Sequence, residues 1–204
     1  MKKLLIYGGT FDPVHMGHKN AFDAAKAAVS PDLCVIIPNA IPPHKASFGL
    51  VSGEHRMNML KLTFGENDDI IYSDYELNRE GKSYSVYTLS HFKEQYPDHD
   101  IYFIVGSDSL IYFSKWYEYE RILKMCTLVC VSRQKGDRAA LEEAKAFLEA
   151  KGGSIIICDV TAFEVSSSEI RKMLMNGESP SCYLEENVVK YIYENSLYQK
   201  EALN

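Results

Sequence analysis

Mostly apolar runs of four or five residues recur along the chain, separated by longer amphipathic segments. The runs are apolar at successive positions, as in strands that are buried on both faces of a parallel sheet. The predicted strands are residues 4–7, 33–37, 69–73, 101–105, 127–131 and 155–158. Such strands alternating with helices predict an α/β protein with a doubly wound parallel sheet of the Rossmann-like type.

The segments between the strands carry the caps and stops expected of helices. The predicted helices are residues 19–29, 52–64, 83–96, 138–151, 169–176 and 185–195, with two short helical pieces around Trp116. Ser52 is expected to cap the second helix, and Gly152 and Gly177 to end the fourth and fifth. An extension of the third strand over residues 75–79 is compatible with the same pattern.

Composition narrows the class of protein. The chain has 204 residues, 46% hydrophobic and 25% charged, which is ordinary for a soluble globular protein. We expect a single domain over residues 1–204, with a C-terminal helical portion at about residues 160–198. The net charge of −6 argues against nucleic-acid partners. The apolar runs are shorter than a membrane span or a secretory signal, so a cytoplasmic protein without membrane partners is predicted.

The most distinctive stretch is Gly8 to His18, where a glycine pair ends the first strand and two histidines open the first helix. A tight glycine turn at a helix start presents backbone N–H groups to a phosphate. In a doubly wound sheet, ligands bind where the first and fourth strands end, which here are Gly8–Thr10 and Gly106–Asp108. The sequence therefore predicts a nucleotide-phosphate site in which His15 and His18 stabilise charge.

Other phosphate and metal motifs fit less well. The dinucleotide fingerprint GxGxxG is absent, and a P-loop ending at Gly81 would need glycine where Glu76 stands. The two histidines have no third ligand at a recognised spacing, so no protein-bound metal is expected, although zinc ligands and surface histidines stay open as alternatives. The five cysteines are odd in number and lack a CxxC pair, which favours structural thiols over a metal or redox role.

Residues 8–18, GGTFDPVHMGH, match the GGxFDPxHxGH signature of the nucleotidylyltransferase superfamily. Later segments resemble the bacterial nicotinate-mononucleotide adenylyltransferases, in the same order over about residues 3–198. These segments are residues 38–39, 42–45, 106–108, 115–117 and 166–171. The resemblance implies the reaction of ATP, the co-substrate, with nicotinate mononucleotide to give deamido-NAD and pyrophosphate, with Mg²⁺ bound through the ATP phosphates. Its partners would be these small molecules.

The resemblance also implies roles for individual residues. The catalytic residues would be His15, His18, Lys45 and Arg171. The ATP-binding residues would be Gly8, Gly9, Thr10, Phe11, Gly106, Asp108, Arg133, Ser167 and Ser168. The residues of the mononucleotide site would be Pro38, Asn39, His44, Ser85, Trp116 and Tyr117. Simpler interpretations remain for some of these residues: an ordinary helix cap for the serine run 166–168, a helix-terminal carboxylate for Asp108 and a solvated surface residue for Arg133.

This chain departs from the family pattern beside the pyridine site. The usual SYTxDT or SYTxET segment has Ser85 for threonine and Tyr87 for the acidic residue, and Ser168 stands where threonine is usual. A nicotinamide-preferring or dual-specific enzyme therefore stays open. Phosphopantetheine adenylyltransferase fits less well, because that family is shorter and usually carries threonine at the position of His15. A non-catalytic nucleotide sensor and a metal-dependent hydrolase are weaker alternatives. The oligomeric state is open, and a homo-oligomer is compatible with the sequence.

Overall fold

The computed structural model describes residues 2–40, 50–132, 138–160, 163 and 165–199. Within these residues the strands are β1 Lys2–Gly9, β2 Leu33–Pro38, β3 Ile70–Tyr72, β4 His99–Gly106, β5 Cys126–Ser132 and β6 Ser154–Asp159. They form one six-stranded sheet in the order β3-β2-β1-β4-β5-β6, with parallel pairing throughout. This is the doubly wound order, and it confirms the predicted fold class.

Helices connect successive strands and follow the last one. They are α1 Met16–Val29, α2 Gly53–Phe64, α3 Ser85–Gln95, α4 Ser107–Ile111, α5 Tyr119–Met125, α6 Arg138–Ala150, α7 Ser167–Met175 and α8 Glu186–Glu194. A single 3-10 turn over Phe113–Lys115 lies between α4 and α5. In the part of the chain described, none of the helices combines the length and apolarity that crossing a membrane would require.

Side chains of the central strand alternate between two cores, one on each face of the sheet. Leu5 and Tyr7 pack with α1, α2, α7 and α8, whereas Leu4 and Ile6 pack with α3, α5 and α6. Leu4, Leu5 and Ile6 are fully buried, which explains why the strand is apolar at successive positions. The C-terminal helices thus share a core with the sheet.

The predicted cap at Ser52 and the predicted glycine stops are confirmed, whereas the first helix begins earlier, at Met16, and the third begins later, at Ser85, than predicted. The Ser52 side chain accepts a hydrogen bond from the His55 N–H at 3.2 Å, as a helix N-cap does. Gly152 and Gly177 follow their helices with φ of 87° and 76°, the left-handed conformation that ends a helix.

One expectation about the third strand is wrong. Residues 75–79 turn instead of extending β3. The Tyr75 N–H bonds the Ser73 hydroxyl at 3.2 Å, and the Asn78 N–H bonds the Asp74 carbonyl at 3.0 Å. Because local acceptors satisfy these donors, the chain leaves the sheet edge and directs Glu76 inward.

The cysteine thiols are free, as expected of structural thiols. Cys34, Cys126 and Cys130 are buried, Cys158 is partly buried and Cys182 is exposed. Burial raises the pKa of the Cys126 thiol to about 12 and that of Cys130 to about 12, so both stay protonated and unreactive near neutral pH.

Candidate active site

The first wall of the site is the turn after β1. Gly8 and Gly9 pair with Ile37 and Pro38 of β2, and the chain then turns through Phe11, whose φ of 51° is left-handed. The Phe11 ring lies over Gly9 so closely that a Cβ on Gly9 would come within 2.8 Å of it. Glycine at this position therefore lets the aromatic ring cover the turn.

The two histidines lie together at the start of α1. The His15 N–H donates to Nδ1 of His18 at 3.2 Å, and the two ring centroids are 3.8 Å apart. Gly17 makes this possible, because a Cβ there would lie 3.0 Å from the His15 ring. Since Nδ1 of His18 accepts a hydrogen bond, the neutral imidazole carries its proton on Nε2, where it is a donor.

A buried carboxylate lies at the centre of the motif loop. Asp12 is 1% exposed, and its Oδ1 accepts from the Tyr198 hydroxyl at 2.7 Å. Burial and the nearby Asp12 charge raise the pKa of Tyr198, so this hydroxyl stays protonated and donates. Sequence reasoning missed this contact, because 186 positions separate the two residues.

The start of α7 is attached to the same loop. Arg171 Nη1 donates to the Asp12 carbonyl at 2.6 Å and lies 3.5 Å from the Asp12 Oδ2. Arg171 Nη2 donates to the Ser168 hydroxyl at 3.1 Å, and the Ser167 hydroxyl donates to the Pro13 carbonyl at 2.9 Å. The structure therefore brings these three predicted residues to the glycine turn. Ser166 caps α7, so the simpler interpretation of the serines also holds for one of them.

Arg56 is a second residue that sequence reasoning missed. It is 3% exposed, and its Nη1 donates to the carbonyls of Thr10 at 2.9 Å and Asn39 at 2.7 Å. Its Nε donates to the Val51 carbonyl at 3.2 Å. Burial lowers the pKa of Arg56, and the Asp12 charge opposes this shift. One guanidinium thus fixes the ends of β1 and β2 and the entrance to α2. In the sequence Arg56 is one of several charged residues in this helix, so only the fold shows that it is buried.

A cavity of about 210 Å³ opens between the ends of β1 and β4, at the predicted switch point. Eight of the predicted site residues line it: Gly8, Gly9, Phe11, His18, Asn39, Ser85, Gly106 and Trp116. Three others are close in sequence to lining residues. Pro38 ends β2, the Thr10 carbonyl accepts a hydrogen bond from Arg56, and Asp108 is exposed in the first turn of α4.

Glu76 also lines this cavity, although no role was predicted for it. It is 4% exposed, and its Oε1 accepts from the Thr88 hydroxyl at 2.6 Å. Burial raises the pKa of Glu76, and hydrogen bonds from Thr88 and Ser83 oppose the shift. An acidic side chain therefore lies on the side of the cavity that Ser85 and Trp116 form.

Aromatic rings form the outer edge of that side. The Trp116 ring stacks on Phe113 at 4.8 Å between centroids, and Tyr117, which is 48% exposed, lies 4.8 Å from Tyr84. Tyr87, which replaces the family's acidic residue, lies 6.1 Å from Tyr117 and has the Arg79 guanidinium 5.0 Å above its ring. The substitution thus adds a ring to an aromatic cluster.

Three predicted residues, His44, Lys45 and Arg133, lie outside the described part of the chain. Within the described residues no group of three His, Cys, Asp or Glu side chains is placed to bind a metal ion.

Sequence comparison agrees with this geometry. The Cytidylyltransferase-like family model matches residues 6–173, and the chain belongs to this family. Full-length relatives narrow the assignment. A protein of Shewanella pealeana named "Probable nicotinate-nucleotide adenylyltransferase" is 35% identical over 211 residues, covering 98% of this chain and 97% of the relative. One of Clostridium botulinum with the same name is 35% identical over 202 residues, covering 98% and 100%. Within its family the chain is thus one of the nicotinate-nucleotide adenylyltransferases.

Solved structures share the fold. Nicotinic acid mononucleotide adenylyltransferase of Plasmodium falciparum, complexed with APC, has a TM-score of 0.78 at 22% identity and covers 97% of this chain and 98% of its own. The same protein complexed with NaAD has a TM-score of 0.77.

Proposed function

We propose that this protein transfers the adenylyl group of ATP to nicotinate mononucleotide, giving deamido-NAD and pyrophosphate. The observation that carries the proposal is the convergence of three elements on the Gly8–His18 loop beside the cavity. The His18 ring lies 5.1 Å from the Phe11 ring of the turn and accepts the His15 N–H, and the α7 start is bonded to the same loop through Arg171 and Ser167. Full-length relatives with the corresponding name support the same reaction.

The chemistry requires positioning more than covalent catalysis. The 5′-phosphate of the mononucleotide is already a nucleophile near neutral pH, and it attacks the α-phosphorus of ATP in line. The protein then has to align the two phosphates and stabilise charge on the transferring and departing groups. Nε2–H of His18 is a donor suited to this task, and it lies at the positive end of the α1 dipole.

The remaining site residues divide between the two substrates. Gly8, Gly9 and Phe11 are proposed to line the joint phosphate site, with Ser168 and Arg171 at the departing pyrophosphate. Ser85 and Trp116 would contact the pyridine nucleotide. For Thr10, Pro38, Asn39, His44, Lys45, Gly106, Asp108, Arg133, Ser167 and Tyr117 the assignments given above from the resemblance stay proposals.

Mg²⁺ is proposed to enter with the ATP phosphates. The described residues provide no cluster of three His, Cys, Asp or Glu side chains that would hold a metal by themselves, so the ATP phosphates would be the main ligands of the ion. The single-domain organisation, the cytoplasmic location, the absence of nucleic-acid and membrane partners and a homo-oligomer likewise stay predictions.

The identity of the molecule that accepts the adenylyl group can be tested by comparing alternative substrates. Pyrophosphate release should be measured with ATP and, in turn, nicotinate mononucleotide, nicotinamide mononucleotide and phosphopantetheine. We expect the highest kcat/KM with the nicotinate form. Equal kcat/KM for the two pyridine nucleotides would show a dual-specific enzyme instead. This is the second candidate, because Tyr87 stands where an acidic residue is usual. Turnover with phosphopantetheine alone, or with none of the three, would contradict the proposal.

A further inference from the structure

The turn that follows α8 reaches back to the loop that opens the first helix. After α8, Ser196 and Tyr198 adopt left-handed φ angles of 52° and 58°. This backbone places Leu197 and Tyr198, each 8% exposed, in the core that contains the β1 side chains. These two left-handed residues, which flank Leu197, bring one hydroxyl to Asp12.

Three groups from distant segments lie against the Asp12 carboxylate. The Tyr198 hydroxyl donates to Oδ1 at 2.7 Å, and the Val51 N–H donates to the same oxygen at 3.4 Å. The nearest guanidinium nitrogen of Arg171 lies 3.5 Å from Oδ2 and donates instead to the Asp12 main-chain carbonyl at 2.6 Å. The cation is therefore close to the carboxylate without forming a bidentate pair with it.

The distance between the Arg171 guanidinium and the Asp12 carboxylate decides whether Arg171 is available to contact a phosphate. Its Nη2 points to the Ser168 hydroxyl, at the α7 start, and the side chain is 26% exposed. A guanidinium that closed fully onto the buried carboxylate would have its charge neutralised and its donors occupied. It would then be a weaker partner for an incoming phosphate.

We propose that Tyr198 is a positioning residue that holds the Asp12 carboxylate and so keeps the Arg171 guanidinium directed toward the phosphates of ATP and the departing pyrophosphate. The inference rests on the proposed function, in which Arg171 contacts the leaving group. It extends that function to a residue outside the recognised motifs, 186 positions from the loop it acts on.

The test compares Tyr198→Phe with Tyr193→Phe, which removes a hydroxyl from a side chain on α8 that is 48% exposed. Steady-state kinetics would give kcat, the KM for each substrate and the inhibition constant of inorganic pyrophosphate. For Tyr198→Phe we expect kcat/KM for ATP to fall about tenfold and the pyrophosphate inhibition constant to rise by a similar factor, the scale of a hydrogen bond to a charged group. The KM for nicotinate mononucleotide should stay within about twofold, and Tyr193→Phe should match the wild type.

A double-mutant cycle with Asp12→Asn separates positioning from general support of the fold. A neutral amide attracts the guanidinium less, so removing the Tyr198 hydroxyl should matter less in that background. Additive effects of the two substitutions would overturn the inference. So would kinetics of Tyr198→Phe equal to the wild type, or a uniform loss of all constants that follows a lowered unfolding midpoint. No turnover by the wild type with any acceptor would instead overturn the proposed function, and this inference with it.

Discussion

Two regions beside the cavity are built differently. In the region proposed to bind the phosphates, called the phosphate side, polar contacts join residues that are far apart in sequence: 186 positions for Tyr198 and Asp12, 159 for Arg171 and Asp12, and 154 for Ser167 and Pro13. In the region proposed to bind the pyridine ring, called the pyridine side, aromatic rings and one buried carboxyl come from segments that are closer in sequence. Thr88 bonds Glu76 at a separation of 12, and Tyr84 contacts Tyr87.

The difference indicates which side tolerates change. Hydrogen bonds with buried partners require specific atoms, so substitution on the phosphate side leaves polar groups unsatisfied. In a contact between aromatic rings, one aromatic side chain can replace another with a small loss of stability. Tyr87, where the family usually has an acidic residue, lies on the tolerant side, whereas the GGTFDPVHMGH motif forms the other.

The largest effect is expected from Arg56→Met. The substitution leaves three backbone carbonyls without their donor and the Asp12 charge with less compensation. We expect the free energy of unfolding to fall by about 3 kcal/mol, measured by urea denaturation. Arg138→Met is the matched control, because that side chain is 52% exposed and should cost less than about 1 kcal/mol. Equal losses of stability in the two variants would contradict the structural role given to Arg56.

His18→Ala is expected to lower kcat by about 10²-fold or more while the fold remains, since one transition-state donor is lost. The measurement is pyrophosphate release at saturating substrates, with circular dichroism to check the fold. His91→Ala provides the control, because His91 lies on α3, stacked on Tyr75 at 3.8 Å. Near-normal turnover of His18→Ala would end its catalytic assignment.

Trp116→Ala tests the pyridine side. Losing a stacking surface should raise the KM for nicotinate mononucleotide about fivefold and leave the KM for ATP nearly unchanged. The comparison variant is Tyr112→Ala, which removes a ring that is 56% exposed. A larger change in the KM for ATP than for the mononucleotide would show that the two sides are assigned to the wrong substrates.

The smallest expected effects are changes in the pH dependence of stability. Removing a carboxyl group should change this dependence in opposite directions on the two sides. Burial raises the pKa of Glu76, so its contribution to stability is complete below the ordinary glutamate pKa and is lost as the pH rises through the raised value. Glu76→Gln should therefore gain stability relative to the wild type from about pH 4 upward.

Glu169, on the phosphate side, should behave in the opposite way. Its carboxylate accepts hydrogen bonds from the Ser166 hydroxyl and N–H, which lower its pKa. This contribution is present above the ordinary glutamate pKa and is lost as the pH falls through the lowered value. Thermal unfolding of Glu169→Gln and Glu76→Gln across pH should give slopes of opposite sign relative to the wild type. Parallel slopes would contradict the electrostatic difference between the two sides.

The sheet could be predicted because each strand is marked by a short run of apolar residues in the sequence. Five of the six predicted strands lie within strands of the structure, and the third, predicted over residues 69–73, is observed over Ile70–Tyr72. The glycines at the ends of β1 and β4 meet at the switch point, as expected. The failure at residues 75–79 has a physical cause. Tyr75 and Leu77 made the segment resemble a strand, but the Ser73 hydroxyl and the Asp74 carbonyl bond the following N–H groups and turn the chain.

The polar network behind the site was not predictable in the same way. Arg56 reads as one more charged residue on an amphipathic helix, and Tyr198 follows the last helix, where chains commonly fray. The role of each residue depends on a partner that only the tertiary structure brings into contact with it. Motif residues could be predicted individually, whereas the contacts that fix their positions required the fold.

The position of β1 in the sheet has a consequence for the order in which the protein is built. β1 precedes the other five strands of the sheet and pairs with β2 on one edge and with β4, which begins at His99, on the other. Until β4 has been made, an emerging chain holds β1 with the backbone groups of one edge unpaired and with apolar side chains on both faces. We expect ribosome-bound chains that end between β3 and β4 to be the ones most bound by chaperones, because an open strand edge beside apolar surface favours association.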